Sequence, residues 1–474
     1  MMFDFNATTA PFLITGVLSI LLLVGVVLRR CVPLFRKSLL PASIIAGVLG
    51  FILINAGVVP VDQSVFEVVS FHLLNLSFMS ITLASTKKVV SEKTEGNESK
   101  KGKEKNIRGG LWLAMMWGAL ISVQIVVAGF ISVVFWKTGW KDFNPLYGML
   151  SAHGLAQGPV QALSMAKTWI SSVNGGGIQD AVQVGLFFAM AGYLAALLIG
   201  VPICNFFFKK NLTAMHKAES DKALENGIYA RDEEEVLGRQ TTHRANIDTF
   251  TFQWALMLGI YFITYMLVSL LDPEHNTMLY SMMFVWTILV ANFVVFILRR
   301  RGLDYMVDPG VQNSITNFCT DVALVACMMS VTVKVILQYI VPLFAVIFGV
   351  IAVTIILTWF FAKKTGKYAA ERFVVVFGIA TGTAITGLLL LRILDSQGKT
   401  PVTREIVWWN VFQMFTGMFI ISLAPFAAIW GWGRWLGINV VAAVLLLIGT
   451  YIVGRSIAKP AVVKKPQVVP ISEL

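Results

Sequence analysis

Charged residues are scarce in this sequence. Asp, Glu, Lys and Arg make up 14% of its 474 residues, whereas a soluble protein of this length carries about a quarter. Hydrophobic residues make up 57%, and the mean hydropathy is +0.74. Most of the uncharged stretches match or exceed the ~20 residues that a helix needs to cross the hydrocarbon core of a bilayer. The composition excludes an ordinary soluble domain and predicts an all-α polytopic membrane protein in contact with the lipid bilayer.

Signatures of catalysis and of metal binding are missing as well. The four cysteines form no C-x-x-C pair, and the five histidines are scattered. No G-x-S-x-G, H-E-x-x-H or Walker motif occurs. These absences disfavour an enzyme, a zinc site and a chain that hydrolyses ATP itself. We therefore expect no catalytic residue and no metal-binding cluster, and an ion gradient is the default source of energy.

The basic residues are unevenly placed, although the formal net charge of +12 could suggest a nucleic-acid partner. Most of the 38 Lys and Arg residues collect in six segments, at 29–37, 87–108, 209–247, 299–308, 363–404 and 454–474. Loops rich in Lys and Arg stay on the cytoplasmic side of a membrane. The pattern favours a multi-pass protein of the cytoplasmic (inner) membrane. Its N-terminus is predicted outside and its C-terminus in the cytoplasm, with no nucleic-acid partner.

The apolar stretches and the charge pattern predict eleven spans, at 12–28, 39–57, 68–86, 109–136, 181–208, 249–271, 277–298, 311–333, 335–362, 406–433 and 435–454. Two further apolar segments are interrupted by glycine residues. The spans before and after each segment end and begin on the same side of the membrane, so each segment must start and finish on that side. Segment 143–166 must begin and end outside, and segment 373–391 must begin and end inside. Non-helical backbone at membrane depth is tolerated only where protein or a wet cavity satisfies it. Both segments are therefore predicted to be re-entrant loops that line a solute pathway.

The order of spans and loops repeats along the chain. Residues 12–208 form a predicted unit of five spans with a re-entrant loop between the fourth and the fifth, and residues 248–433 form another. Because each unit crosses the membrane an odd number of times, its two ends lie on opposite sides. The second unit therefore begins on the opposite side from the first and is inverted relative to it. Residues 209–247 connect the units on the cytoplasmic side, and residues 434–474 add an extra span and a cytoplasmic tail. Inverted repeats of this kind are typical of secondary transporters.

The first loop carries the predicted substrate-binding residues, which are Ser151, His153, Gly154, Gln157 and Gly158. Glycine allows a backbone break, and the proline that follows suits the first turn of a new helix. The free N–H groups of such a helix start attract anions. The polar side chains add hydrogen-bonding groups. The alternative is that these small residues only permit tight helix packing.

The second loop and one carboxylate form the predicted sodium site. Thr381, Gly382, Thr383 and Thr386 supply hydroxyl groups and unwound carbonyls, which can replace the water shell of a sodium ion. Asp321 is a carboxylate well inside a predicted span, where a charge is costly and usually functional. Two alternatives stay open. Threonine hydroxyls can bond back to their own helix, and Asp321 can pair with a buried polar group.

Three stretches resemble the bacterial sodium/glutamate symporter family, namely Leu40–Gly47, Ser151–Gly154 and Gly378–Gly387. The resemblance covers roughly residues 12–430. It departs from the family pattern at Ala152, where a glycine is expected, and in the second loop, which has Thr-Gly-Thr-Ala in place of a glycine pair. The resemblance implies sodium-coupled uptake of glutamate or a similar acidic amino acid, by a homodimer in the cytoplasmic membrane.

Together these features predict a sodium-driven symporter of a small carboxylate, foremost glutamate, that works by alternating access. Spans 3–5 and 8–10 with both loops are the expected moving core, and spans 1, 2, 6 and 7 are the expected scaffold. A sodium-independent or proton-coupled transporter of another organic anion is the alternative within transport. A membrane-embedded sensor or enzyme is disfavoured, because the ionisable groups are isolated and the connector is too short for an output domain.

Overall fold

A computed structural model describes residues 10–37, 39–84, 100–173, 177–214, 238–273, 280, 283–395 and 400–458. Most of the basic loop 87–108, most of the connector 209–247 and the predicted cytoplasmic tail after residue 458 lie outside the described residues. Every regular element of the described residues is helical, and none of them forms a strand. This confirms the predicted all-α class.

Two sets of helices, one before and one after the connector, make up the fold. The first set is α1 (Ala10–Cys31), α2 (Pro33–Lys37), α3 (Ala42–Asn55), α4 (Gln63–Ala84), α5 (Lys100–Lys137), α6 (Pro145–Met149), α7 (Ser151–Gln157), α8 (Pro159–Ser172), α9 (Ala181–Leu198) and α10 (Gly200–Lys209). The second set is α11 (Thr249–Leu271), α12 (Met283–Arg300), α13 (Pro309–Met329), α14 (Val333–Gln338), α15 (Ile340–Ala362), α16 (Ala369–Ala380), α17 (Ala384–Leu394), α18 (Val402–Thr416), α19 (Met418–Leu423), α20 (Ala427–Trp430) and α21 (Trp432–Ala458). Short 3-10 turns occur at Asp304–Met306, Lys363–Thr365 and Ala424–Phe426.

Nine membrane-spanning candidates occur among the described residues, and they correspond to nine of the eleven predicted spans. The predicted second span is the shorter helix α3, whose 14 residues are about 21 Å long against ~30 Å of hydrocarbon. It begins after Pro41 and ends two residues before Gly57, whose φ is +74°. The predicted eighth span is α13, which carries Asn313, Asn317 and Asp321 and is not among the nine.

Two of the predicted spans are not single helices. The fifth span is divided into α9 and α10, which meet at Ile199, and Pro202 lies in the first turn of α10. The tenth span is divided into α18, α19, a 3-10 turn and α20, with Gly417 and Pro425 at the junctions. A proline interrupts a helix because it has no N–H to donate and its ring crowds the preceding turn. The interruptions therefore follow from residues visible in the sequence.

The second glycine-interrupted segment folds back on itself. It consists of α16, a break at Thr381–Thr383, and α17. Gly378 and Gly387 pack together, since a Cβ atom added to Gly378 would lie 2.6 Å from the Gly387 Cα atom. In a continuous helix these two residues would be about 13.5 Å apart. The chain therefore reverses direction between α16 and α17.

The first glycine-interrupted segment also folds back. Gly154 of α7 lies against α9, where an added Cβ atom would be 2.8 Å from the Ala189 nitrogen. Gly185, one turn earlier on α9, lies against α8, where an added Cβ atom would be 3.5 Å from the Ala162 Cβ atom. Helices α7 and α8 thus lie side by side on α9. That these segments are re-entrant loops in the membrane, and the side from which each enters, stay predictions.

The helices pack as two bodies. Helices α1, α3, α4, α11, α12 and α13 contact one another and form the scaffold body. Helices α5–α10 and α15–α21 contact one another and form the core body. The predicted third and eighth spans, α4 and α13, pack within the scaffold body and not in the expected core. The reason is a polar seam between them, in which Ser77 contacts Thr320 at 3.1 Å and Ser80 donates to Gln312 Oε1 at 2.6 Å.

The extra span, α21, is part of the core body and lies antiparallel along α5. Leu436 near its start lies 3.0 Å from the position of a Cβ atom added to Gly129. Gly454 near its end packs on Trp112, with the indole nitrogen 3.0 Å from an added Cβ atom. The contacting residue numbers on α5 decrease as those on α21 increase, so the two helices run antiparallel. Glycines on both helices permit this close approach.

Candidate functional site

Gly158 forms the break between α7 and α8. Its φ is +80° and its ψ is −174°, a conformation that only glycine adopts without strain. Gly158 is at once the C-cap of α7 and the N-cap of α8. Pro159 then begins α8 with the φ that suits a first helical residue. The helix thus restarts at the proline, where the sequence predicts a helix start.

Three of the predicted substrate residues have buried polar atoms without a hydrogen-bond partner among the described residues. These atoms are Ser151 Oγ, His153 Nε2 and Gln157 Nε2. The other ring nitrogen of His153 lies 3.5 Å from Gln157 Oε1, and the ring packs edge-on against Trp169. Buried polar groups in folded proteins are nearly always paired. Three unpaired groups on one short helix therefore leave hydrogen-bonding capacity for a ligand.

The second break, between α16 and α17, is capped by its own residues. The Thr383 N–H donates to Thr386 Oγ1 at 2.9 Å, and the Thr383 side chain accepts from the Thr386 N–H in a capping box. Gly382 lies against the same side chain, where an added Cβ atom would be 2.5 Å from Thr386 Oγ1. This arrangement holds the start of α17 in a defined position.

Several predicted site residues are also engaged in packing or in bonds within their own loop. Gly154 packs on α9. The Thr381 hydroxyl donates to the Phe377 carbonyl at 2.7 Å, and the Thr386 hydroxyl donates to the Gly378 carbonyl at 2.7 Å. These contacts match the alternative in which glycine permits packing and threonine bonds back to its own segment. Ion binding by the two threonines stays a prediction.

The two breaks meet beside α9. A Cβ atom added to Gly158 would lie 3.1 Å from Thr383 Cγ2 and 3.5 Å from the Tyr193 hydroxyl. Gly192, the neighbour of Tyr193 on α9, touches the second break, since its added Cβ atom would lie 2.7 Å from the Thr381 carbonyl oxygen. The same Cβ atom would lie 3.0 Å from the α7 backbone. The fold therefore brings the predicted substrate loop and the predicted ion loop together.

The ends of four helices converge at this contact. Helices α8 and α17 begin here, at Pro159 and Ala384, and helices α7 and α16 end here, at Gln157 and Ala380. A helix start carries a partial positive charge and a helix end a partial negative charge. The contact thus offers positive ends to a carboxylate and negative ends to a cation.

Asp321 lies on α13 of the scaffold body and not in the second break. Its side chain is exposed in the isolated chain and is within hydrogen-bonding reach of Ser43 on α3. Tyr193 of α9, whose hydroxyl lies beside Gly158, belongs to the same buried cluster as Leu324 and Met328 of α13. Tyr193 therefore connects the helix that carries Asp321 with the two breaks, and sequence reasoning missed it.

Gln124 of α5 is a second residue that sequence reasoning missed. Its side chain is 1% exposed and donates from Nε2 to the Ala380 carbonyl at 2.9 Å and to Thr354 Oγ1 at 3.2 Å. Ala380 is the last residue of α16, so Gln124 holds the edge of the second break. A signal was present in the sequence, because Gln124 is the one amide side chain in the uncharged stretch 109–136.

A buried ion pair anchors the base of the second loop. Arg372 donates from Nε to Glu405 Oε2 at 2.8 Å and from Nη2 to Glu405 Oε1 at 2.6 Å, and both side chains are 0% exposed. Arg372 also donates to the Thr365 carbonyl at 3.1 Å. The pair joins the first turn of α16 to the first turn of α18. Sequence reasoning missed it because the uncharged segment 373–391 begins one residue after Arg372.

A family model described as sodium/glutamate symporter matches residues 5–386 of the chain. The chain belongs to this family. The match confirms the resemblance seen in the sequence, contains both helix breaks, and ends at Thr386, before α18–α21. No curated protein and no solved structure matches the chain.

Membership of the sodium/glutamate symporter family, together with the nine apolar helices of the described residues, makes the chain a multi-pass membrane protein of a transporter family. A transporter family agrees with the expectation that the chain is not an enzyme. The family implies a small-molecule substrate and sodium as the coupling ion.

Proposed function

We propose that this family member couples sodium entry to the uptake of glutamate or a similar small carboxylate by alternating access. The single observation that carries the proposal is the contact between the two helix breaks. Unpaired buried polar atoms lie beside one break, and positive helix ends converge on the contact. A transporter needs such a site, because substrate groups must find partners that replace water.

The substrate carboxylate is assigned to the first break. The N–H groups at the start of α8 provide positive charge, and the backbone around Gly158 can be approached closely because no side chain covers it. Ser151, His153 and Gln157 supply hydrogen-bonding atoms that have no partner among the described residues. Gly154 sets the distance between α7 and α9, which positions these side chains.

The sodium ion is assigned to the second break. The negative end of α16 and the backbone from Thr381 to Thr383 offer oxygen atoms, which hard cations prefer as ligands. Gly382 leaves this backbone uncovered, and Thr386 holds its shape. Asp321 contributes negative charge from the scaffold body.

The membrane arrangement belongs to the same proposal. The repeats 12–208 and 248–433 are inverted, and loops 143–166 and 373–391 enter from opposite faces of the cytoplasmic (inner) membrane. The N-terminus is outside and the C-terminus is cytoplasmic, as the distribution of Lys and Arg predicts. The protein acts as a homodimer, as the family resemblance implies.

Alternating access is assigned to movement between the two bodies. The bodies have fewer contacts with each other than within themselves, and their interface combines an apolar cluster of α3, α9 and α13 with polar pairs. Lys167 of α8 pairs with Glu67 of α4 at 2.9 Å, and the Thr332 N–H before α14 donates to Gln183 Oε1 of α9 at 2.7 Å. Polar contacts can be exchanged for water when the bodies move, whereas the packed interior of each body moves as a unit.

The deciding experiment measures labelled glutamate uptake into proteoliposomes that contain the purified protein. An inward sodium gradient is compared with an inward choline gradient and with an inward proton gradient in choline. Symport predicts accumulation above equilibrium only with sodium. Equal uptake under all three conditions, or accumulation driven by protons alone, would replace the proposal by the sodium-independent or proton-coupled alternative.

A further inference from the structure

Gln124 is a buried amide in the core body, at the edge of the second helix break. It lies in the middle of α5, and its side chain is 1% exposed. Its Nε2 atom contacts two acceptors, the Ala380 carbonyl at 2.9 Å and the Thr354 hydroxyl at 3.2 Å. Its Oε1 atom has no hydrogen-bond partner among the described residues. The NH₂ group of the amide is therefore hydrogen-bonded, whereas the oxygen atom is not.

The orientation of this amide follows from its neighbours. A carbonyl can only accept a hydrogen bond, so the Ala380 carbonyl requires the NH₂ group of Gln124 on its side. The Oε1 atom then occupies the other arm of the same planar amide group, which still lies beside the end of α16. An unpaired buried acceptor is costly, because it has given up its hydrogen bonds to water. The amide is held in this costly arrangement by the end of α16.

The chemistry of the free atom selects a cation. Oε1 is an acceptor and cannot donate a hydrogen bond to a carboxylate. Its partial negative charge adds to that of the C-terminal end of α16. Amide and backbone carbonyl oxygens are established ligands for hard cations. Ala380 adjoins Thr381 and Gly382, where the backbone leaves the helix.

We propose that Gln124 Oε1 is a ligand of the coupling sodium ion at the second break. The proposal rests on the sodium symport proposed above and assigns a site residue that sequence reasoning missed. Gln124 thereby does two things at once, since Nε2 fixes the end of α16 and the free Oε1 of the same amide binds the ion. Occupation by sodium would remove the cost of the unpaired oxygen.

The test uses Gln124→Met, which keeps the length of the side chain and removes the whole amide, both Oε1 and the Nε2 group that donates to the Ala380 carbonyl. Uptake of glutamate into proteoliposomes is measured against sodium concentration, and separately against glutamate concentration at saturating sodium. We expect the half-saturating sodium concentration to rise by about tenfold or more, as for loss of a metal-site residue. The half-saturating glutamate concentration is expected to stay near that of the wild type. An unchanged sodium dependence, or a change in glutamate affinity alone, would overturn the assignment.

Two further variants separate ion binding from packing. Thr354→Val removes the hydroxyl that Nε2 also contacts but leaves Oε1 in place, so its sodium dependence is expected to match the wild type. A shift as large as that of Gln124→Met would assign the effect to packing and would overturn the proposal. Gln124→Glu keeps oxygen atoms at the site and is expected to alter the preference for sodium over lithium.

The Gln124→Glu variant also decides the question if Gln124→Met does not fold. An unchanged sodium dependence together with an unchanged preference for sodium over lithium would then overturn the proposal. Failure of the symport proposal itself gives a different result. The wild-type protein would then show the same uptake in sodium and in choline, whatever the results for the variants.

Discussion

Gly158 and Thr383 face each other where the two broken helices meet. A Cβ atom added to Gly158 would lie 3.1 Å from Thr383 Cγ2. The two residues belong to loops more than 200 positions apart in the sequence, and each lies where one helix ends and the next begins. Their contact makes the two loops one site, so a change at either residue is expected to affect both substrate and ion.

Gly158→Ala is expected to reduce glutamate uptake strongly. The added methyl group imposes backbone strain of about 1–3 kcal/mol, because this conformation is essentially restricted to glycine, and it presses on Thr383. We expect at least a tenfold lower transport rate, since a misplacement of about 1 Å at a reacting site can cost far more. The measurement is the initial rate of sodium-driven uptake.

The matched control for this variant is Gly139→Ala. Gly139 also has a positive φ, +131°, but nothing lies within 4 Å of its added Cβ atom. Its strain therefore acts away from the site, and uptake per folded molecule should stay near the wild type. Adding Thr383→Ser to Gly158→Ala removes Cγ2 and should restore part of the rate. Wild-type uptake by Gly158→Ala would refute the steric argument.

Asp321→Asn is expected to weaken sodium dependence. The carboxylate is a negative charge on α13, a helix that packs against Tyr193 beside the two breaks. Its removal should raise the half-saturating sodium concentration by several-fold, while the amide keeps the size of the side chain. Asp62→Asn is the control, because Asp62 is an exposed carboxylate that accepts from the Ser64 N–H at 2.7 Å, in the α3–α4 connection. Equal sodium dependence in wild type and Asp321→Asn would remove Asp321 from the ion site.

The pair formed by Arg372 and Glu405 is expected to be essential for stability. Removing one member of a buried pair leaves an uncompensated charge and costs about 3–5 kcal/mol. Glu405→Gln should therefore lower the thermal unfolding temperature in detergent markedly. Replacing both residues, as Arg372→Met with Glu405→Leu, should cost less than Glu405→Gln alone. The reason is that no buried charge then remains.

The exposed pair of Glu104 and Arg108 serves as the control. Their side chains are 61% and 48% exposed, and a solvated pair of this kind contributes about 0–1 kcal/mol. Glu104→Gln should therefore change the unfolding temperature little. A similar change for Glu104→Gln and Glu405→Gln would contradict the view that the buried pair anchors α16.

The sequence predicts the fold best where one residue type decides the local structure. Gly158 with Pro159 fixes the first break, and the Thr-Gly-Thr run at 381–383 contains the second. Both signals are local. At the first break a positive φ needs glycine and a first helical turn suits proline, and at the second a threonine lies at the N-cap of the new helix. Length and hydropathy are local properties too, and nine of the eleven predicted spans are membrane-spanning candidates among the described residues.

The sequence predicts least where distant residues decide. Gln124 finds partners 230 and 256 positions away, and no local pattern connects them. The polar seam between α4 and α13 likewise joins residues more than 230 positions apart, and it places both helices in the scaffold body. Asp321 was expected at the second break because it is charged and deep. The helix that carries it packs in the scaffold body instead.

The Lys167–Glu67 pair is expected to break during transport, because it joins the two bodies. Cysteines are introduced at both positions, Glu67→Cys and Lys167→Cys, in a background without other cysteines. Cross-linking them with a reducible bifunctional reagent should abolish uptake. Reduction of the cross-link should restore it. The same reagent on a Glu104→Cys, Arg108→Cys variant joins two residues one turn apart on α5 and should leave uptake unchanged. Full uptake by the cross-linked variant would mean that the bodies do not separate at this contact, and alternating access would then require another moving element.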